Sequence, residues 1–539
     1  MRGWYFLRCN RLQWSKRRLQ PLYQPTRGVA WKGRAQLSNV EKLVQDFRNE
    51  VARILHFEEA MYLMEWDLRT GAPKRGVPLR AEAIGTLSDE VFRAKTSPRM
   101  ESYLNRLSDP DVFATLDSVT AGTVRELKRQ FDRDKAIPAD RKKAFVMLTS
   151  EAQSVWEEAK ETSDFELFRP YLERIVDMQL EFIDYWGFEN DPYDTLLHHF
   201  EPGLTVAELD PIFRNLRQET VRLLQDIVAS GVRPEVGPLL QDFPIWQQRE
   251  LSTELLLYMG FDFSAGRLDT TVHPFMSSIN RYDARVTTMY VKNDLRSSVF
   301  STIHEGGHAL YEQGIADELI GTPLCTGTSM GMHESQSRFY ENMIGRSMEF
   351  WETKYPSLLE RFPTLSGMSL EAFYAAINEV QPSLVRIDAD EVTYNLHIMI
   401  RYEIEKALIN RSVKVAELPL VWGEKMQDYL GVVPPNDALG VLQDVHWSGG
   451  DFGYFPSYTL GNIYAAQIRE ALHRDIPDYM SEVLQGHLLG IKNWLNDKVH
   501  RFGKLLGPRE ILQQVTGQGI DSGALVRYLN DKYRPLYHI

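Results

Sequence analysis

The stretch Ser301–Tyr311, which reads STIHEGGHALY, is the part of the sequence that says most about the fold and the chemistry of the protein. It contains the pattern His-Glu-x-x-His. On a helix, residues four apart share one face, so His304 and His308 can direct two imidazoles at one metal ion. Glu305 starts beside the first histidine, where its carboxylate can act as a base on a water molecule. These features predict a zinc hydrolase centre that needs a third ligand.

Two glycines inside this helix weigh against a purely structural interpretation of the motif. An ordinary amphipathic helix with two hydrogen-bonded histidines is the alternative, because short motifs also arise by chance. Gly306 and Gly307 each cost a helix interior about 1 kcal/mol relative to alanine. We therefore expect that substrate or a neighbouring strand approaches the backbone of this helix closely.

The composition is that of a globular protein with ample chain for a large core. Of 539 residues, 43% are hydrophobic and 25% are charged. The formal net charge of -13 argues against a nucleic-acid-binding surface. Cys9 and Cys325 are too few for a disulfide framework or a cysteine zinc site, and they fit a reducing compartment. With no apolar run of membrane-spanning length, we predict a cytoplasmic protein without membrane partners.

The first 36 residues contain nine Lys or Arg and no Asp or Glu. This composition resembles an organelle transit peptide, and import through residues 1–36 is the alternative localisation. The scarcity of serine and the three tryptophans favour a disordered basic tail, or translation from a start codon placed too far upstream. We assign residues 1–38 to a basic extension and residues 39–539 to one large domain.

Helical periodicity dominates the chain from Asn39 to about Gly260, for example at Leu43, Phe47 and Val51. Thr205 is a predicted helix N-cap. After residue 331 the pattern resumes, first with a predicted helix over 332–352. The expected fold is mostly α, with a deep central substrate groove.

Two β-branched and aromatic segments, 270–277 and 283–290, predict a small hairpin around a turn at 278–281. A hairpin directly before the metal helix would form one wall of a cleft, and an extended substrate could pair with its edge. Asn293 or Asp294 is expected to cap the metal helix, and Gly314 to end it.

The third metal ligand is predicted to be Glu334, which begins a helix after a loop. A carboxylate there completes a two-histidine, one-glutamate ligand set. His333 and Glu341 are competitors for this role. A surface pairing with Arg338 explains Glu341 more simply than ligation.

With these residues in place, the chain resembles the M32 family of metallocarboxypeptidases, the carboxypeptidase Taq group. The resemblance runs from about Asn39 to the C-terminus. It departs from the family pattern at Val385, where the family often has isoleucine before the arginine, and this change is conservative. Six motifs carry it in order: HPF at 273–275, DxRxT at 283–287, HExxH at 304–308, HESQ at 333–336, RIDAD at 386–390 and GxxQDxHW at 440–447.

The resemblance implies a helical, neurolysin-like fold with a deep groove and frequently a homodimer. It implies one zinc ion per subunit, often replaceable by cobalt, and removal of single residues from peptide C-termini with broad specificity. On the motif match, His304, His308 and Glu334 bind the metal and Glu305 is the catalytic carboxylate.

Further site residues follow from the chemistry of peptide hydrolysis. His446 and Tyr458 are candidate donors to the tetrahedral oxyanion. Arg386 is the candidate for binding the substrate α-carboxylate, because a guanidinium binds carboxylate through two hydrogen bonds. Alternatively, Arg386 pairs with Asp388, Asp390 or Glu391 and is structural.

Three weaker candidates for the substrate cleft are Arg285, His273 and Gln443. Arg285 could equally pair with Asp283. Gln443 and the adjacent Asp444 could orient a metal-binding histidine.

Two other functions stay open. A neurolysin-type metallo-endopeptidase would share the metal site but lack a carboxylate-binding cation in the cleft. A non-catalytic peptide-binding protein would keep only a residual metal site, and the intact Glu305 argues against it.

Overall fold

Helices make up most of the computed structural model, which describes residues 27–539, with side chains from residue 39. The predictions for residues 1–26 lie outside the described residues. Thr205 caps its helix as predicted, accepting from the Glu208 amide. Among the described residues, ten α-helices precede the sheet: α1 (Arg27–Thr70), α2 (Val77–Lys95), α3 (Pro98–Leu107), α4 (Pro110–Phe113), α5 (Ser118–Ala136), α6 (Ala139–Thr162), α7 (Phe165–Trp186), α8 (Pro192–Phe200), α9 (Val206–Ser230) and α10 (Ile245–Met259).

A three-stranded sheet follows, with β1 (Gly266–Thr270), β2 (Met276–Asn280) and β3 (Asp283–Thr288) in the order β1-β3-β2. The predicted hairpin exists as the antiparallel pair β2 and β3. Its first strand begins at Met276, whereas the prediction placed the start at residue 270. β1, which runs parallel to β3, was missed. Its glycine and aspartate are depleted in strands, so only tertiary pairing identifies it.

Twelve further helices follow in the described chain. The metal helix α11 has both predicted ends: Asp294 caps it by accepting from the Arg296 amide, and it ends at Gly314. The helices are α11 (Leu295–Gly314), α12 (Met330–Arg338), α13 (Met348–Arg361), α14 (Leu370–Ile377), α15 (Tyr394–Ile409), α16 (Leu418–Leu430), α17 (His446–Gly449), α18 (Pro456–Asp475), α19 (Tyr479–Leu484), α20 (Leu489–Lys498), α21 (Pro508–Thr516) and α22 (Ser522–Leu536).

The predicted continuous helix over 332–352 is wrong. α12 leads into a π-helical segment, Phe339–Ile344, and Ser347 then caps α13. A π-helix adds a residue per turn, so the 3.6-residue pattern of the sequence cannot reveal it. Such segments often occur beside functional sites, and this one carries Glu341.

A cleft of about 960 Å³ lies between two groups of buried side chains. α1, α2, α3 and α5 share a small core around Phe47 and Leu104, whereas α11 and the sheet belong to the larger core. Residues of α1, β2, α11, α12 and α18 line the cleft. The prediction of a mostly helical fold with a central groove is therefore confirmed. No helix among the described residues has the length and apolar character needed to cross a membrane.

Candidate metal centre

The predicted metal ligands come together where α11 meets α12. His304 and His308 lie on one face of α11, with ring centroids 5.0 Å apart. Glu334 Oε2 is 3.7 Å from His304 Nε2 and 3.5 Å from His308 Nε2. The three donor atoms lie within 4.8 Å of one another. Two nitrogens and one oxygen around a common point suit a divalent metal ion with a remaining open position.

The other ring nitrogens of both histidines are occupied. His304 Nδ1 is 2.8 Å from Glu341 Oε2, and His308 Nδ1 is 2.7 Å from His333 Nδ1. The two competitors for the ligand role, Glu341 and His333, therefore contact the ligands instead. This leaves Nε2 of each histidine directed at Glu334, as metal binding requires.

The electrostatics of the site also fit a cation. Burial lowers the pKa of His308 to about 4, so this imidazole is neutral and able to bind metal. Although burial opposes ionisation of Glu334, Arg338 and the histidines hold its pKa well below the usual range. Against the effect of burial, Glu334 and Glu341 raise the pKa of His304. The carboxylates thus create a negative potential where the metal would bind.

Helix packing explains the two glycines of the motif. A Cβ on Gly307 would lie 2.6 Å from the Gln336 carbonyl oxygen of α12. A Cβ on Gly306 would lie 2.7 Å from Leu256 Cδ2 of α10. The expectation of close approach is confirmed, but the neighbours are two helices rather than substrate or a strand.

Gly461 on α18 likewise allows close packing against α12, and the sequence reasoning missed it. A Cβ there would lie 2.5 Å from Glu334 Cγ. α12 thus packs closely on both α11 and α18, and the contact with Gly461 restricts where the Glu334 side chain can lie. A glycine inside a helical segment, which costs about 1 kcal/mol relative to alanine, was the available signal.

Glu305 lines the cleft beside the ligands and is only 7% exposed. Burial, with smaller contributions from Glu334 and Glu341 and against the effect of His304, raises the pKa of Glu305 to about 7. A carboxyl group with such a pKa can both accept and return a proton near neutral pH.

Of the two predicted oxyanion donors, Tyr458 lines the cleft and His446 lies next to it. The Tyr458 hydroxyl is 3.3 Å from His446 Nε2. Tyr454, which the sequence reasoning did not select, also lines the cleft, and its ring stacks on His446 at 5.6 Å. The aromatic segment before α18 was the signal for it.

Arg386 is buried, 7% exposed, and is not among the residues that line the cleft. Its Nε and Nη2 donate to Asp444 Oδ1 at 2.9 and 2.7 Å, and its Nη1 donates to the Tyr394 hydroxyl at 3.2 Å. Its ion-pair partner is thus Asp444, rather than the nearby acids that the sequence suggested. Because Arg401 Nε also donates to Asp444, at 2.6 Å, two guanidinium groups share one carboxylate.

Comparison with known proteins identifies the family. A family-wide sequence model described as Carboxypeptidase Taq (M32) metallopeptidase matches residues 46–533. The chain belongs to the M32 family.

The M32 relatives match almost end to end. Carboxypeptidase 1 of Bacillus subtilis is 47% identical over 494 residues, 92% of this chain and 98% of the relative. Thermostable carboxypeptidase 1 of Thermus thermophilus is 40% identical over 484 residues, 88% of this chain and 95% of the relative. The crystal structure of the M32 carboxypeptidase of Deinococcus radiodurans R1 has a TM-score of 0.90 at 33% identity, covering 92% of this chain and 100% of that one. This protein is a metallocarboxypeptidase, and its family implies a metal ion.

The three weaker candidates for the substrate cleft are not among the residues that line it. Gln443 Oε1 accepts from the Arg386 amide at 2.9 Å and from Arg401 Nη2 at 2.7 Å, so it holds the arginine pair rather than a histidine. Arg285 pairs with Asp283 through two hydrogen bonds of 2.8 and 2.7 Å. The His273 side chain is exposed in the loop between β1 and β2.

Replacing Gly307 with alanine is expected to lower the free energy of unfolding of the protein by about 1–3 kcal/mol, the usual effect of overpacking. The new Cβ would press on α12 backbone, which cannot rotate away. Urea unfolding of the metal-free protein measures the change. Gly306→Ala is the matched control, because its neighbours are the flexible ends of Leu256 and Met259. Equal stability of the two variants would contradict the packing argument.

Proposed function

We propose that this M32 metallocarboxypeptidase binds one zinc ion per subunit through His304, His308 and Glu334. It then releases single amino acids from the C-termini of peptides with broad specificity. The observation that carries the proposal is the convergence of these three donors, within 4.8 Å of one another, beside Glu305. The family resemblance implies that cobalt can replace zinc, and that the enzyme forms a homodimer.

In the proposed mechanism the chain supplies the proton transfers and the polar contacts. A bound zinc ion would act as a Lewis acid on the scissile carbonyl and would increase the acidity of a water molecule. Glu305 accepts the proton of the attacking water and returns it to the leaving amine. The Tyr458 hydroxyl donates to the developing oxyanion, and His446 Nε2, 3.3 Å away, orients that hydroxyl.

Arg386 is the proposed determinant of C-terminal recognition. It shares Asp444 with Arg401, so the pair of arginines carries an uncompensated positive charge. The guanidinium carbon of Arg386 lies 5.1 Å from the centre of the Tyr458 ring, directly behind a residue that lines the cleft. This charge would attract the α-carboxylate of a peptide. Gln443 holds Arg386 in place, and we propose that Arg285 and His273 support the wall formed by the sheet.

Amidation of a peptide C-terminus removes the negative charge that Arg386 would attract. We expect it to lower kcat/KM about 10- to 100-fold, which corresponds to the free energy of an interaction with a charged group. Digestion of matched free and amidated peptides, followed by mass spectrometry, measures this. Stepwise loss of single C-terminal residues is expected only from the free peptide. Cleavage of both peptides at equal rates would favour the endopeptidase alternative.

The Arg386→Lys variant tests the residue itself. It keeps a positive charge but loses the planar fork whose hydrogen bonds to Asp444 and Tyr394 hold that charge behind Tyr458. The difference in kcat/KM between free and amidated peptides is expected to shrink in this variant. An unchanged difference would assign carboxylate recognition to another group.

A further inference from the structure

We propose that His333 and Glu312 form a hydrogen-bond relay behind His308, which fixes the tautomer of that ligand and so determines metal affinity. The inference rests on the proposed ligand set. His308 Nδ1 is 2.7 Å from His333 Nδ1, and His333 Nε2 is 3.0 Å from Glu312 Oε1. The three side chains therefore form a continuous line that ends at the metal centre.

The direction of every hydrogen bond in this line follows from metal binding. His308 must present an unprotonated Nε2 towards Glu334, so its single proton is on Nδ1. A hydrogen bond between two Nδ1 atoms contains one hydrogen, so His333 Nδ1 is the acceptor. The proton of His333 is then on Nε2, which donates to the Glu312 carboxylate. With the opposite tautomer of His333, His308 would carry its proton on Nε2 and could not bind metal.

Both ring nitrogens of His333 are used in this arrangement. His333 therefore cannot also be a metal ligand, which separates it from the role that the sequence left open. The other ligand, His304, contacts the Glu341 carboxylate directly, at 2.8 Å. The two ligands thus differ: one has a carboxylate as its acceptor, whereas the other reaches a carboxylate through a second imidazole.

The far end of the relay is fixed by the loop before α12. Glu312 is 1% exposed, and its Oε1 also accepts from the Gly327 amide at 2.9 Å and from Thr326 Oγ1 at 3.0 Å. These donors keep Oε1 aimed at His333. A carboxylate that is buried and held by three donors is an anchor for the histidine rather than a solvated surface charge.

Neighbouring groups also restrict the movement of the His333 ring. A Cβ on Gly327 would lie 2.6 Å from His333 Cδ2, and the Tyr311 ring is 5.2 Å away between centroids. The absence of a side chain at Gly327 therefore lets the loop close over the imidazole. A residue that orients a metal ligand through a hydrogen bond must itself be held in place, and these contacts hold His333.

The first test compares three variants by competition with a chelator for zinc, in the absence of peptide. His333→Ala removes the acceptor, and its zinc affinity is expected to fall about 10- to 100-fold. His333→Asn places an oxygen near the Nδ1 position and is expected to recover most of that loss. Glu312→Gln removes the charge but keeps an acceptor, so a smaller loss than in His333→Ala is expected.

Two results of this comparison would overturn the proposal. One is a His333→Ala protein that binds zinc as tightly as the unaltered protein. The other is a His333→Asn protein that binds no more tightly than His333→Ala. Thermal unfolding of each protein, measured with and without zinc, serves as the control. A merely structural role would lower the unfolding midpoint equally in both conditions. A relay would instead reduce the increase in midpoint that zinc produces.

A second measurement needs no variant and applies even where His333→Ala fails to fold. Nitrogen-15 spectra of the imidazoles in the zinc-loaded protein are expected to show His333 protonated at Nε2 and His308 protonated at Nδ1. Protonation of His333 at Nδ1 would overturn the relay. Failure of the unaltered protein to bind zinc at all would instead refute the proposed ligand set, so the two failures are distinguishable.

Discussion

Replacing Glu305 with glutamine is expected to lower kcat for release of a C-terminal amino acid by about 10²–10⁴-fold, the contribution of a general acid–base group. The amide has the same shape as the carboxyl group but cannot take the proton of the attacking water. Because Glu305 is outside the group of three donors, bound zinc is expected to stay at one ion per chain. Steady-state kinetics together with metal analysis on the same preparation measures both quantities.

Glu65 provides the matched control for this variant. It lines the same cleft from α1. Glu65→Gln makes the same carboxylate-to-amide change outside the group of three donors, and kcat is expected to change far less than in Glu305→Gln, because Glu65 takes no part in the proposed proton transfers. If Glu305→Gln kept more than about one tenth of the original kcat, the role of Glu305 as proton acceptor would be refuted.

The second large effect is expected from Glu334→Gln, which removes the anionic ligand. Zinc affinity is expected to fall by more than about 100-fold, because the loss of a residue that only hydrogen-bonds to a metal ligand already lowers metal affinity 10- to 100-fold. Glu341→Gln is the matched control: both carboxylates contact Arg338, and they are 6% and 8% exposed. In Glu341→Gln, activity is expected to return at saturating zinc.

Chelator competition and activity titrated with zinc or cobalt distinguish these two variants. Chelation of the unaltered enzyme is expected to abolish activity, which added zinc or cobalt restores. Equal zinc affinity of the two variants would mean that the third ligand is not Glu334.

The parts of the site that depend on local spacing could be predicted from the sequence. His304 and His308 share a face because they are one turn apart, whatever surrounds the helix. The Asp294 cap is similarly local, since its side chain accepts from an amide two residues further on. Glu334 could be proposed because its residue type completes a ligand set, and the structure brings it to the histidines.

The missed parts all depend on contacts between distant segments. Asp444 reaches Arg386 and Arg401 from 58 and 43 positions away, so nearby acids looked equally suitable as partners. β1 forms only because β3 pairs with it, and the role of Gly461 depends on how α18 packs. The tautomer of His308 likewise depends on His333, which is 25 positions away in the sequence.

The contact between Gly461 and Glu334 has a consequence for how the enzyme is made. The ribosome finishes Glu334 more than a hundred residues before Gly461. At about 5–20 residues per second, the ligands emerge about 6–25 s before the helix that holds the ligand carboxylate in position. During that interval the nascent chain exposes two histidines and a carboxylate without their final support. We therefore expect stable metal loading to occur late in translation or after release, when α18 has closed over α12.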